Sequence, residues 1–209
     1  MNVLIFGATG GIGKWTVEFA KKKGYLVTVY VRNARKIIDS SIRVIEGELD
    51  DYRKMEEAMS GQDAVIWCVG IAMKRNYEGM PSVEGHRNLL KAMKKAGVTR
   101  LIDWGTPSIP FEKDEKSVIT VIPGILAELF LTKAKKEMVE IGHMLSESDI
   151  DWTLVRFMAP KDTSYTGKVK VSFGKKKMKF AISRADIASF MVEQVEDGTY
   201  VRSMPIIGS

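Results

Sequence analysis

Val3-Leu4-Ile5-Phe6-Gly7-Ala8-Thr9-Gly10-Gly11-Ile12-Gly13 stands almost at the start of the chain, and its reading decides the fold. Four apolar residues run unbroken into the first glycine, the pattern of a strand covered on both faces. From Gly11 the pattern lengthens into a helix reaching Lys23, closed by Lys21-Lys22-Lys23 and Gly24. Cations and a glycine both suit a helix carboxyl end. The spaced glycines between strand and helix have separate physical roles. Gly7 permits a tight turn, Gly10 lets the backbone approach a pyrophosphate, and Gly13 lets helix and strand pack closely. The helix start adds N–H donors and a positive dipole end. In this strand–turn–helix setting the loop points to a dinucleotide phosphate site.

The same alternation continues outward. Strands are expected at Val3–Phe6, Leu26–Val31, Arg43–Ile45, Ala64–Val69, Leu101–Trp104 and Thr153–Val155. Helices are expected at Gly11–Lys23, Tyr52–Met59, Ser82–Ala96 and along a segment within Gly124–Leu145. Repeated strand–helix–strand order with short connections predicts an α/β fold, a Rossmann-like doubly wound parallel sheet. Beyond residue 157 the pattern changes. Val169–Phe173 and Met178–Ile182 alternate around Gly174-Lys175, which predicts a small hairpin before a helix over Ala185–Val195. The expectation is a single domain over residues 1–209, with 157–183 as a small cap within it.

Composition narrows the classes. The chain has 209 residues, 45% hydrophobic and 28% charged, an ordinary globular mix. No apolar run approaches the ~18–20 residues of a membrane span, and the start has no basic leader region. Cys68 is the lone cysteine, so an intrachain disulfide framework and a cysteine-built metal site are excluded. His86 and His143 are the two histidines and lie far apart, so no metal is expected. A reducing, cytoplasmic setting fits best. The net charge of +6 comes from scattered lysines without interleaved aromatics. It reads as a solvated surface or as attraction to a phosphate-bearing small ligand, with no nucleic acid and no membrane as partner.

Arg32 ends the second strand, nineteen residues after Gly13. A carboxylate there would bind a ribose 2′-hydroxyl and favour NAD, whereas an arginine can stack on adenine and pair with a 2′-phosphate. Arg35 and Lys36 follow, so NADPH is the expected cofactor, with NADH possible.

The Gly-x-x-Gly-x-x-Gly spacing resembles the short-chain dehydrogenase/reductase superfamily in its atypical and extended members. Five further stretches resemble the flavin reductase/biliverdin-IXβ reductase group and its NmrA-like relatives. They are Val31-Arg32-Asn33, Glu46-Gly47-Glu48-Leu49-Asp50, Gly61–Ile66, Glu84–Met93 and Ser148–Arg156. The resemblance implies cofactor contacts at Gly7, Thr9, Gly10, Gly11, Ile12, Arg32 and Lys36. It also implies Glu48 and Leu49 near the adenine, Val69 and Gly70 near the ribose, Thr106 near the nicotinamide, and Phe157 and Met158 beyond it. Glu48 stands where those relatives have aspartate, and Arg156-Phe157 where they often have Arg-Pro.

Ordinary short-chain dehydrogenases carry Tyr-x-x-x-Lys as their acid/base pair. None of Tyr25, Tyr30, Tyr52, Tyr77, Tyr165 and Tyr200 has lysine four residues later. A flavin accepts hydride at a ring nitrogen and can take protons from water, so its reductase mainly has to position the reactants. The expected function is hydride transfer from NAD(P)H to a flat acceptor, a flavin or quinone. The flavin would be a substrate rather than a tightly bound cofactor, with Thr106 as a positioning residue. Two alternatives stay open: an NmrA-like dinucleotide sensor without turnover, and another short-chain epimerase or reductase chemistry. The oligomeric state is unassigned. Asp103, inside an apolar strand, is expected to be paired, with Lys133, Lys135 or Lys136 as candidate partners, and His86 to be a satisfied core histidine. Met73, Met80 and Met158 are candidates for lining a flat pocket.

Overall fold

A computed structural model describes residues 1–72, 77–175 and 177–209. The chain runs β1 (Asn2–Phe6), α1 (Gly11–Lys22), β2 (Leu26–Val31), β3 (Arg43–Glu46), α2 (Tyr52–Met59), β4 (Ala64–Trp67), α3 (Pro81–Ala96) and β5 (Arg100–Gly105). It continues through α4 (Val118–Phe130), α5 (Thr132–Glu147), β6 (Asp151–Arg156), β7 (Pro160–Lys161), β8 (Lys170–Ser172), β9 (Ile182–Ser183), α6 (Arg184–Glu193) and β10 (Ile206–Gly208).

The main sheet has the order β3-β2-β1-β4-β5-β6-β10-β8. Every pairing in it is parallel except β10 with β8. Successive residues of β1 face opposite cores. Leu4 and Phe6 join Met55, Leu89 and Ile141 on the face covered by α2, α3 and α5. Val3 and Ile5 join Val17, Ile187 and Met191 on the face covered by α1 and α6. This two-sided burial is why the strand sequences are continuously apolar. Because the chain turns back between β3 and β4, strand order reverses at the β1–β4 junction, which opens a crevice at the carboxyl ends of those strands.

Local signals fix the helix ends. Asp51 Oδ1 accepts the Lys54 N–H at 3.0 Å as the N-cap of α2. Pro81 occupies the first turn of α3, whose end is set by Gly97 at φ +70°. The expected segment within Gly124–Leu145 is two helices. The first begins earlier, at Val118, behind a reciprocal cap between Ser117 and Thr120. Pro123 sits inside α4, where it has no N–H to give to the helix ladder.

The predicted hairpin is corrected in its pairing. Its first arm forms β8 but lies antiparallel to β10, Ile206 opposite Ser172. In the second arm, Lys179 exchanges backbone hydrogen bonds with Ser209 at 3.0 and 3.2 Å, and Ile182-Ser183 pairs with β7. An isolated two-stranded hairpin is marginal in water, whereas β10, with Ile206 and Ile207 both buried, offers an edge of an already covered sheet.

Candidate functional site

Gly7 directly follows β1 at φ +74°, and a Cβ there would lie 2.6 Å from the backbone carbon of Cys68. No side chain fits that turn. A Cβ at Gly13 would overlap the Gly7 carbonyl oxygen, so these two glycines let α1 press against the end of β1. Gly10 differs. It caps α1 with φ −78° and no side-chain cap, donates its N–H to Gly7 O at 2.9 Å, and a Cβ there would meet only Gly7 O at 3.2 Å. The first-turn N–H groups of α1 have no partner within the helix. Such a bare helix end, with its positive dipole, suits a pyrophosphate.

At the β2–β3 side of the crevice Arg32 follows β2 and is exposed, as are Arg35 and Lys36 in the 3-10 turn Ala34–Lys36. Asn33 Oδ1 accepts the Arg35 N–H at 3.0 Å, and the Ala34 N–H donates to Glu46 Oε2 at 2.7 Å. The turn is therefore held from both sides while its cations stay in solvent. The Tyr30 hydroxyl donates to the Glu48 carbonyl at 2.8 Å; burial, then the nearby Asp51, Glu48 and Asp50 carboxylates, raise the phenol's pKa. Asn88 Nδ2 donates to the Leu49 carbonyl at 3.0 Å. These bonds hold the main chain of Glu48 and Leu49 in place, with the Glu48 side chain exposed.

At the other end of the crevice is a cavity of about 390 Å³. It gathers Gly10, Gly11, Ile12, Gly70, Thr106, Phe157 and Met158 from the residues singled out in the sequence. Gly7, Thr9, Gly13 and Val69 do not line it, and Arg32, Lys36, Glu48 and Leu49 stand apart at the β2–β3 side. The sequence reading missed Trp104, Ala159, Pro160, Arg184 and Met191, and treated Cys68 as core. Trp104 donates its Nε1–H to the Val69 carbonyl at 2.8 Å and stacks on Phe157 at 5.5 Å with 25° between the rings. Together they form a flat apolar wall. Ala159 beside it has φ +45°, a conformation costly for any residue but glycine.

Arg184 opens α6, and its Cδ and Nε lie 2.8 Å from where a Gly11 Cβ would stand. Its guanidinium stem thus crosses the amino-terminal end of α1, while Nη1 pairs with Asp162 at 2.7 Å. Met158 lines the cavity and Met80, the N-cap of α3, does not; Met73 is outside the described residues.

Thr106 Oγ1 lies 2.6 Å from Ser108 Oγ and 3.4 Å from Met138 Sδ. Cys68 Sγ lies 3.4 Å from Thr16 Oγ1, and burial pushes its thiol up to about 12. Among the described residues, no tyrosine, histidine or carboxylate lines the cavity, and no group of acidic, histidine or cysteine side chains could hold a metal ion.

Asp103 is paired, but not with the lysines. Its Oδ2 lies 2.9 Å from His86 Nε2, and its Oδ1 accepts the Trp104 N–H at 2.7 Å. His86 Nδ1 lies 2.6 Å from the Ser82 carbonyl, which can only accept, so the ring donates there. Both side chains are buried beneath the sheet surface. A buried polar group is tolerated only with such partners, and His86 supplies one from α3, which packs on the same face of the sheet.

Known proteins resemble this chain in sequence and in fold. A family model described as NAD(P)H-binding matches residues 7–198. The chain is 24% identical over 217 aligned residues to the probable pinoresinol-lariciresinol reductase 3 of Arabidopsis thaliana, covering 94% of this chain and 63% of that protein. The alignment thus spans less than two thirds of the plant reductase. ChuY of Escherichia coli O157:H7, described as an anaerobilin reductase, superposes with a TM-score of 0.81 at 21% identity, covering 100% of this chain and 97% of ChuY. A short-chain dehydrogenase/reductase of Veillonella parvula in complex with NADP superposes with a TM-score of 0.78 at 17% identity, covering 100% and 94%. The shared fold is that of Rossmann-fold NAD(P)-binding proteins.

Proposed function

This chain belongs to the NAD(P)H-binding family, and on that premise we propose that it is a reductase passing hydride to a flat acceptor, a flavin or quinone. The observation that carries this reading is the chemistry of the cavity. Trp104 and Phe157 provide a flat wall, and the described lining offers no side chain poised to give up a proton. A carbonyl or alkene acceptor needs a positioned acid, which contributes ~10²–10⁴-fold. A flavin or quinone draws its protons from water and needs only alignment.

The residues fit a dinucleotide. The bare N-cap at Gly10 leaves room and donors for a pyrophosphate, and the guanidinium of Arg184, paired with Asp162, lies beside it. Arg32, Arg35 and Lys36 supply three exposed cations for a 2′-phosphate, which supports NADPH over NADH. The nicotinamide, when bound, supplies the hydride. Thr106, held by Ser108, orients a carboxamide or acceptor carbonyl, and Trp104, Phe157 and Met158 exclude water from one face. Relatives named as reductases agree with the reaction class.

The test is NADPH oxidation followed optically with FMN, riboflavin, a short-chain quinone and anaerobilin as acceptors. Turnover with a flavin or quinone is the expected result. Tight dinucleotide binding without turnover on the whole panel would overturn the reading in favour of a nucleotide sensor. Turnover with anaerobilin alone would replace the acceptor class.

A further inference from the structure

We propose that the outward face of α4 docks on an anionic lipid bilayer. Val118, Val121, Ile122, Ile125, Leu126 and Leu129 recur along this helix at intervals of three and four residues, which places them on one stripe. In a globular protein such a stripe normally faces the core. Here each of the six is between 41% and 64% exposed. The opposite side of the helix makes the internal contacts: Pro123 is buried, and the Gly124 carbonyl accepts a hydrogen bond from Lys135 Nζ at 3.2 Å. A contiguous exposed apolar stripe of this kind marks an interaction surface.

The charges around the stripe choose the occupant. Lys113 and Lys116 precede α4 and are exposed. The Glu115 N–H donates to Phe173 O at 2.7 Å, which holds the chain that leads on to the exposed Lys177 beside the start of α4. Lys136, exposed, and Lys133 follow its end. Near the start, Asp114 is engaged by Arg156 and Glu115 by Lys175, which leaves Lys113, Lys116 and Lys177 against Glu112. A second copy of this chain packed on the stripe, parallel or antiparallel, would bring cationic ends together. Anionic headgroups satisfy both ends at once, with the apolar side chains dipping beneath them.

At 13 residues α4 is about 20 Å long, short of the ~30 Å hydrocarbon core. No helix among the described residues is long and apolar enough to cross a membrane, so α4 lies in the interface. The expectation of no membrane partner rested on the length of apolar runs. An amphipathic stripe escapes that criterion because polar and small residues interrupt it. The docking stands apart from the identity of the acceptor.

Co-sedimentation of the whole protein with vesicles tests it. Phosphatidylcholine vesicles containing phosphatidylglycerol should carry the protein down, and phosphatidylcholine alone should retain much less. Raising the salt should release it. The double variant Ile122→Ser/Leu126→Ser should lose at least about tenfold in vesicle affinity. Lys116→Gln/Lys136→Gln should lose about fivefold per lysine, on anionic vesicles only. All four side chains are exposed, so both variants should keep the wild-type thermal unfolding transition. Absence of binding to the phosphatidylglycerol vesicles would overturn the proposal, as would binding indifferent to the Ile122/Leu126 variant. A dimer in sedimentation velocity that this same variant dissociates would assign the face to a second copy instead.

Discussion

At the glycine end of the cleft the groups facing a ligand are main-chain N–H groups of α1, framed by Gly7, Gly10 and Gly13 within a few residues of one another. At the Thr106 end they are side chains: Trp104 and Thr106 from the end of β5, Phe157 and Met158 after β6, Arg184 at the start of α6. The first end is set by steric exclusion, because a Cβ at Gly7 or Gly13 has nowhere to go. The second is set by which side chains the fold brings together. A main-chain cradle binds what every dinucleotide shares. A side-chain wall can be changed one residue at a time, and the proposed function puts acceptor choice there.

The sharpest way to break this comparison is inside the loop itself. Gly10→Val should leave a folded protein, since φ −78° suits any residue and the Cβ meets only Gly7 O at 3.2 Å. It should weaken dinucleotide binding by on the order of a hundredfold, by displacing the pyrophosphate from the helix end. Gly13→Val should instead destabilise the fold by about 3 kcal/mol or more, because its Cβ overlaps the Gly7 carbonyl. Calorimetric titration of both cofactors, with a thermal melt beside it, separates the two. Unchanged NADPH binding in Gly10→Val would remove the loop from the site.

Next in size is the 2′-phosphate. Arg32→Asp should weaken NADPH about ten- to a hundredfold, since one charge-assisted bond contributes ~1.5–3 kcal/mol, and leave NADH unchanged or slightly better. The wild-type preference should shrink with added salt, because Arg32, Arg35 and Lys36 are exposed. Equal affinities for both cofactors in the wild type would return Arg32 to the surface.

At the Thr106 end the effects should be smaller. Thr106→Ala should lower flavin turnover by less than about tenfold, well short of what an essential acid contributes, with dinucleotide affinity intact. Complete loss of turnover with binding intact would show that a proton does pass through Thr106. The smallest effect concerns Cys68. A thiol pushed up to about 12 stays protonated from neutral pH to about pH 10. Alkylation by iodoacetamide should therefore be slow across that range, and Cys68→Ser should leave turnover within about twofold. Rapid labelling at pH 7 would place a thiolate in the cleft.

The regions legible in sequence are those governed by neighbours along the chain. The run Val3–Phe6, the glycine loop, Gly24, Pro81 and Gly97 each act within one turn or one strand. Their conformations follow from φ preferences and burial period, so β1, α1, β2, α2 and α3 stand within a residue or two of their expected bounds. The start of α4 shows the limit of such local reading: the helical segment is expected from Gly124, yet α4 begins at Val118 behind the Ser117–Thr120 cap. The hairpin shows another limit. Alternation revealed two extended arms, but alternation carries no information about which strand an arm will pair with.

What the sequence by itself determined was the parallel α/β sheet and the tight glycine turn into α1 at one end of its crevice, because both depend on the missing Cβ of glycine and on unbroken apolar strands. Only the tertiary structure decided that Asp103 pairs with His86, that Arg184 crosses Gly11, that Trp104 stacks on Phe157, and that β8 joins β10. Those contacts join residues distant along the chain, and their partners are chosen by the competition among all buried groups for hydrogen bonds and covered surface. That competition is settled only when the whole chain has packed.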